Sequence, residues 1–405
     1  MALDILKIKK KVDDEGFPID KDGNRIAPDG IKYYTHNRLF EYCPDAHYYM
    51  IFGERSSGKT YDLMKYCLEQ YVKDGSQFAY LRRWDTDIKG QPIRTLFANL
   101  VANKEIQKIT KNEYNDVYFY GGSFYLSFYN SEKGTRVNSP EPIGFVFALN
   151  NMEHDKSSSW PHVNNIVFDE FLARKSYLVN EFVAFTNVLS TIIRKRDNVK
   201  IFMLGNTVNK FCPYFKEMGI TNLKKMVPGE INVYKYGDSG LTVAVEYTDG
   251  RDSINPSDVY FAFNNPKLKM ITQGAWELDI YPHCPIKYRP KDIKFTYFIE
   301  FDDEYLQCEI VKANKCLFTF IHQKTTPLKK EDKDIIFSQR YDPRKNWRRI
   351  IHKTYDKIGE VIWKQFVTDS VYYQDNEVGD MVANYLEWCK QQRWRRKTVI
   401  FFLFH

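Results

Sequence analysis

The sequence predicts an α/β protein: a mostly parallel sheet with flanking helices, followed by a separate, smaller α+β domain. Three observations carry this expectation. Between residues 48 and 206, short apolar runs alternate with segments of helical spacing, the pattern of strands buried on both faces. A turn bracketed by glycines joins the first of these runs to the first helix. From Phe295 onward the texture becomes strands in direct succession, the habit of antiparallel pairing. With 405 residues, the chain is also longer than one typical core supports, so several domains are expected.

In order along the chain, the first 30 residues are polar and carry Asp-Gly at 22–23 and 29–30. They read as an extended arm or a small hairpin outside the core, and an N-terminal arm or extension is placed at 1–44. "YYMIFG" (48–53) reads as a buried strand, and 58–71 as a helix with Leu63, Tyr66, Cys67 and Tyr71 on one face. "QFAYLRR" (77–83) is a second strand, followed by a helix around 93–106 and a hairpin over 116–130 that turns on Gly121-Gly122. Strands at 143–150 and 165–171, a helix over 178–194 and a strand at 199–206 complete a first domain placed at 45–240. "TVAVEY" (242–247) and "DVYFAF" (258–263) look like short strands in a linker region placed at 241–292, where prolines cluster. The last domain, 293–405, begins with three antiparallel strands across 295–323, and helices are expected around 346–366 and 377–392.

Composition narrows the partners. A formal charge of +7 is compatible with phosphate-rich partners without demanding them. Tyr and Phe number 29 each, which fits aromatic-rich cores and base stacking alike. Seven cysteines form no CxxC pair and no zinc spacing, so they read as free thiols in a reducing compartment. No export signal and no membrane-spanning run are visible, and a cytosolic protein without membrane association is expected.

The turn after the first strand is Gly53-Glu54-Arg55-Ser56-Ser57-Gly58-Lys59-Thr60, matching G-x-x-x-x-G-K-[ST]. Its glycines let the backbone curl so that successive N–H groups point at a polyphosphate. The helix that follows adds a partial positive charge of about +0.5 at the same point. Lys59 is placed to reach the β- and γ-phosphates of ATP, and Thr60 to hold Mg2+. "NIVFDEF" then sets Asp169 and Glu170 at the end of a buried strand. The first acid suits the metal shell opposite Thr60, and the second suits polarising a water. Because "QFAYLRR" lies between Thr60 and Asp169, an added strand is expected between the cradle strand and the acid strand, which favours mechanical ATPases over nucleotide kinases.

Other positions stay open on spacing alone. Asn206 ends an apolar strand, where an amide senses the γ-phosphate or merely makes a turn. Arg194 closes a helix, where a cation either complements the helix dipole or reaches a neighbouring subunit. For Arg82 and Arg83, phosphate, DNA and a neighbour remain equally open. "RYDPRKNWRRIIHK" gathers Arg344, Lys345, Arg348 and Arg349 around Trp347, either as an exposed helix face or as sliding phosphate contacts to DNA. The carboxylates Glu300, Asp302 and Asp303 end a strand where a two-metal nuclease places an acid, but a solvated acidic turn explains them as well.

Taken together, "GERSSGKT", "FAYLRR", "NIVFDEF", "STIIRKRDNV" and "MLGNTVNKFCPYF" resemble, in order and spacing, the DNA packaging (encapsidation) ATPases of small short-tailed bacteriophages. The resemblance covers about residues 45 to 216 and thins beyond. It implies a P-loop NTPase of the ASCE type that forms a ring, expected to be a pentamer, on the portal vertex of an empty prohead in the host cytoplasm. The ring drives double-stranded DNA inward at the expense of ATP. The resemblance puts the cradle lysine at Lys59, the metal acid at Asp169, the catalytic glutamate at Glu170 and the trans-acting arginine at Arg194. Lys156 falls in a region that contacts DNA or nucleotide in trans. The last domain is implied to be ribonuclease H-like, nuclease-silent and DNA-gripping. Some members dock on a structural RNA, a partner the sequence leaves open. A helicase or recombination ATPase, and an ATP-gated scaffold without turnover, are the alternative readings.

Overall fold

The computed structural model describes residues 3–8, 33–151, 159–173, 177–178, 180–207, 211–249, 281–284, 286–314, 316–328, 331–352 and 356–403, with side chains from 33 to 390 apart from Lys224 and Asp238. The chain divides into two compact units, Met1–Glu277 and Leu278–His405.

The first unit is built on a sheet of β1 (Leu3–Ile8), β2 (Tyr48–Gly53), β3 (Gln77–Arg82), β4 (Asp116–Tyr120), β5 (Ser123–Asn130), β6 (Thr135–Asn138), β7 (Gly144–Ala148), β8 (Val163–Asp169), β9 (Lys200–Asn206), β10 (Glu230–Tyr236) and β11 (Thr242–Tyr247). Their order is β1-β10-β11-β2-β9-β8-β3-β7-β5-β4, with β6 paired to β5. The centre, from β11 to β7, is wholly parallel. Its strands are buried on both faces, with Met50, Phe52, Ile166, Phe168 and Met203 in one apolar cluster and Tyr49, Ile51, Val167, Phe202 and Leu204 in the other. Helix α1 is Asn37–Tyr42, and α2 runs over Lys59–Asp74. A left-handed Gly75 ends α2, its N–H donating to the Tyr71 carbonyl.

Four expectations are corrected here. The strand between the cradle strand β2 and the acid strand β8 is β9, not "QFAYLRR"; β3 pairs on the far side of β8. Sheet order is set by long-range packing, so chain order did not reveal it. The first unit does not end at 240, because β11 joins the sheet beside β2. Nor is 1–44 wholly an arm outside the core: β1 pairs antiparallel with β10, and Leu39 of α1 is fully buried. The single helix expected around 93–106 is three short ones, α3 (Gln91–Arg94), α4 (Ala98–Ala102) and α5 (Glu105–Ile109), interrupted where Lys104 turns left-handed at φ 58°. The strand read at 258–263 lies outside the described residues. Helices α6 (Glu181–Ile193) and α7 (Pro213–Glu217) follow β8 and β9 respectively.

The second unit holds β12 (Ile293–Phe301), β13 (Glu304–Ala313), β14 (Cys316–Gln323), β15 (Ile336–Ser338), β16 (Trp347–Arg348) and β17 (Val371–Tyr373). The order is β16-β15-β12-β13-β14-β17. β13 runs antiparallel to both β12 and β14, and β15 and β16 continue parallel to β12. Phe301 meets Tyr385 of the long helix α9 (Asn376–Leu403) edge-on at 6.1 Å. The helix expected from 346 begins only at Lys357, as α8 (Lys357–Val367). Asp356 caps it by accepting from the Gly359 N–H at 2.7 Å, and Trp347-Arg348 pair as a strand instead.

Candidate active site

The cradle turn leaves β2 and enters α2 as the motif requires. Gly58 stands at φ 93° at the head of the helix, a conformation that disfavours any side chain. Gly53 needs its missing Cβ for a different reason: one built there would meet the Thr248 hydroxyl at 2.0 Å. Lys59 is 6% exposed, its ammonium donating to the Glu54 carbonyl at 2.6 Å, Ser57 Oγ at 3.1 Å and Asn206 Oδ1 at 3.5 Å. Asn206 arrives through the register of β9, which sets it beside Gly53.

Residues distant in sequence meet at Thr60, whose hydroxyl donates to Asp169 Oδ2 at 3.1 Å. The same oxygen accepts from the Tyr80 hydroxyl at 2.8 Å. Burial, reinforced by the Asp169 charge, holds the Tyr80 phenol well above its ordinary pKa, so it stays a donor. Glu170 takes a left-handed backbone at φ 59°, and its half-exposed carboxylate accepts from Arg82 at 2.7 Å. Burial pulls the Arg82 guanidinium down, but Tyr80, Glu170 and Asp169 outweigh it and raise it above its usual value.

Part of this set faces a cavity of about 820 Å³. Ser56, Ser57, Gly58, Lys59, Thr60, Asp169, Glu170 and Asn206 line it, together with Tyr33 to Thr35, which precede α1. The Tyr34 N–H donates to the Ser57 carbonyl at 2.7 Å, so this upstream segment braces the cradle. Gly53, Glu54 and exposed Arg55 belong to the turn without lining the cavity. The donor set fits a magnesium triphosphate: a cradle of main-chain N–H groups, a buried ammonium, and a hydroxyl and carboxylate already in contact.

Other predicted residues lie elsewhere. Arg194 caps the C-terminus of α6 at φ 42°, exposed and away from this cavity, with its Nε donating to the Thr191 carbonyl at 3.2 Å. Lys156 lies outside the described residues. Arg348 is corrected as a DNA contact: it is 8% exposed and pairs with Asp356 at 2.6 Å. Arg344 is exposed but engaged by Asp342 at 2.8 Å and Glu331 at 3.2 Å, over the Trp347 ring. Lys345 is exposed, as is Arg349, which stacks on Trp388 at 5.2 Å. Glu300 is buried and accepts from the Ser338 hydroxyl, while Arg340 approaches it at 3.5 Å and also meets Asp303. Sequence reasoning left the partners of Arg82 open and did not single out Tyr80. The available signal was their two-residue spacing at a strand end, which sets both side chains on one face.

Fold and site define the class: a P-loop NTPase fold with a strand inserted between its cradle and acid strands, carrying a second α+β unit. The profile of the podovirus DNA encapsidation protein (Gp16) family matches residues 29–357. The chain belongs to that family, and its function is the packaging of phage DNA. It is 26% identical over 277 residues to the DNA packaging protein of Bacillus phage PZA, covering 67% of this chain and 73% of that one. The Bacillus phage phi29 DNA packaging protein is 25% identical over the same length. A solved structure of the bacteriophage Phi-29 genome packaging motor assembly shares the fold, with a TM-score of 0.51 and 20% identity over 90% of this chain and 99% of that one. Among the described residues, no helix is long and apolar enough to cross a membrane.

Proposed function

We propose that this chain hydrolyses ATP and couples the reaction to moving double-stranded DNA into a prohead. The observation that carries this reading is the Thr60–Asp169 contact at 3.1 Å, which unites the cradle and acid strands around one cavity with Lys59 and Asn206. Lys59 exchanges its contacts with Glu54, Ser57 and Asn206 for phosphate oxygens as ATP enters. Thr60 and Asp169 would hold a Mg2+ ion, which would supply neutralising charge to the phosphates. Glu170 accepts the proton of a water attacking the γ-phosphorus; the bond to the ADP oxygen breaks, leaving ADP and phosphate. Asn206 beside Lys59 reports the terminal phosphate to β9.

Glu170 held by Arg82 at 2.7 Å is an idle base, since a neutralised carboxylate polarises water poorly. Turnover therefore requires that pair to open. Arg194 is assigned to a neighbouring subunit's nucleotide, because it stands away from its own cavity. A ring, taken as a pentamer on the portal vertex, follows from this assignment and acts in the host cytoplasm. Lys345 and Arg349 are offered to the DNA backbone, with the second unit gripping rather than cutting.

The test is ATP-dependent uptake of double-stranded DNA by purified empty proheads, with and without the chain. Glu170→Gln is expected to bind ATP as the parent does, to lose turnover by about a hundredfold or more, and to abolish uptake. Parental turnover in that variant removes Glu170 from the base role, and uptake without this chain removes the coupling.

A further inference from the structure

Arg83 follows Arg82 directly, yet its side chain turns into the protein. Its Nε–H donates to both oxygens of Glu181, at 3.0 and 2.8 Å. Its two terminal nitrogens donate to the main-chain carbonyls of Glu170 at 3.0 Å and Phe171 at 2.7 Å. The side chains of the pair are 7% and 0% exposed, and the guanidinium lies over the Tyr177 ring at 5.0 Å. Glu181 opens α6 and also accepts from the Leu178 N–H at 2.6 Å and the Tyr214 hydroxyl at 2.7 Å. Tyr214 belongs to α7, downstream of β9. The segments leaving the carboxyl ends of β3, β8 and β9 are thus tied at one buried ion pair.

A buried ion pair is a weak source of net stability, because desolvation offsets most of its attraction. What this one supplies is geometry. Glu170 occupies the left-handed region, which a residue bearing a Cβ keeps only where its surroundings impose it. Its N–H is held by Asp169 Oδ1 at 3.0 Å, and the Phe171 N–H by the Leu204 carbonyl at 3.0 Å. Arg83 holds the two carbonyls between and beyond these points. We propose that Arg83 is a positioning residue: through the Glu170 and Phe171 carbonyls it sets the direction in which the Glu170 carboxylate leaves the main chain, and Glu181 is the anion that keeps Arg83 in place. This rests on the reading of Glu170 as the base.

Misplacing a reacting group by about 1 Å costs on the order of a hundredfold in rate. Arg83→Lys keeps the charge but cannot serve both carbonyls and the carboxylate. Glu181→Gln keeps the shape and removes the charge. Both are compared with the parent full-length chain for kcat, KM for MgATP, affinity for a non-hydrolysable ATP analogue, and Tm. The expected result is a kcat lower by about 10- to 100-fold, with KM and analogue affinity within about twofold and a cooperative melt retained. A kcat within about twofold of the parent in a variant that melts cooperatively overturns the proposal. So does a loss of kcat that comes with an equal loss of analogue affinity, which is what general damage produces. If Arg83→Lys does not fold, Glu181→Gln decides by the same criteria. Glu170→Gln run in parallel separates the two ideas: parental turnover there removes the base reading, whereas lost turnover there beside intact turnover in the cooperatively melting variants removes only the role of Arg83.

Discussion

At the scale of single residues, the site is a set of charged side chains already hydrogen-bonded within the protein. Lys59 rests on a carbonyl and two side-chain oxygens, Asp169 on Thr60 and Tyr80, and Glu170 on Arg82. These bonds satisfy Lys59, Asp169 and Arg82, polar groups that burial would otherwise leave costly. Arg82 is the sharpest case, because its bond to Glu170 opposes the chemistry assigned to that carboxylate. Arg82→Ala is therefore expected to raise DNA-independent ATP turnover several-fold and to shrink the further stimulation by DNA. A steady-state phosphate-release assay with and without duplex DNA checks this, and an unchanged ratio argues against restraint by Arg82.

At the scale of elements, the segment ahead of α1 is bound to the sheet through a buried carboxylate. Glu246 of β11 accepts from the Tyr34 hydroxyl at 2.9 Å, with Arg38 of α1 at 3.9 Å. Burial raises the Glu246 carboxyl from 4.5 to about 7, against the opposing pull of Arg38 and Tyr34. A pKa raised on folding gives stability that is whole below the unfolded value and is lost as pH climbs through the folded one. The folded protein thus becomes less stable between pH 4.5 and about 7 on account of this group. Glu246→Gln, which does not ionise, is expected to stabilise by on the order of 3 kcal/mol at pH 8 and by under about 1 kcal/mol at pH 5. Chemical denaturation of both proteins across that range measures the difference; a pH-independent gap contradicts burial as the cause. This brace was not legible in the sequence. Tyr34 and Glu246 are 212 residues apart, and no local pattern links them.

At the scale of the whole molecule, the chain carries two compact units, and Arg194 is exposed and not among the residues that line the nucleotide cavity. Under the proposed function, Arg194 acts on a neighbouring subunit's nucleotide, and that proposal is open to test in mixed rings. Arg194→Ala subunits are expected to bind nucleotide normally and to poison mixed rings. Titrating the variant into the parent should lower prohead-bound ATP turnover more steeply than the fraction of variant added, while a linear decline means each subunit works alone. The sequence by itself determined the cradle from Gly53 to Thr60, the acid pair and the strands beneath them, because a phosphate-binding turn is local and its glycines, lysine and threonine lie within eight consecutive residues. Only the tertiary structure decided that β9 separates the cradle and acid strands, that Arg83 faces inward to Glu181, and that Arg348 is spent on Asp356. Sheet order and the direction of a strand-end arginine are settled by packing between segments up to a hundred or more residues apart, where the free energy of burying each face, rather than the local pattern, makes the choice.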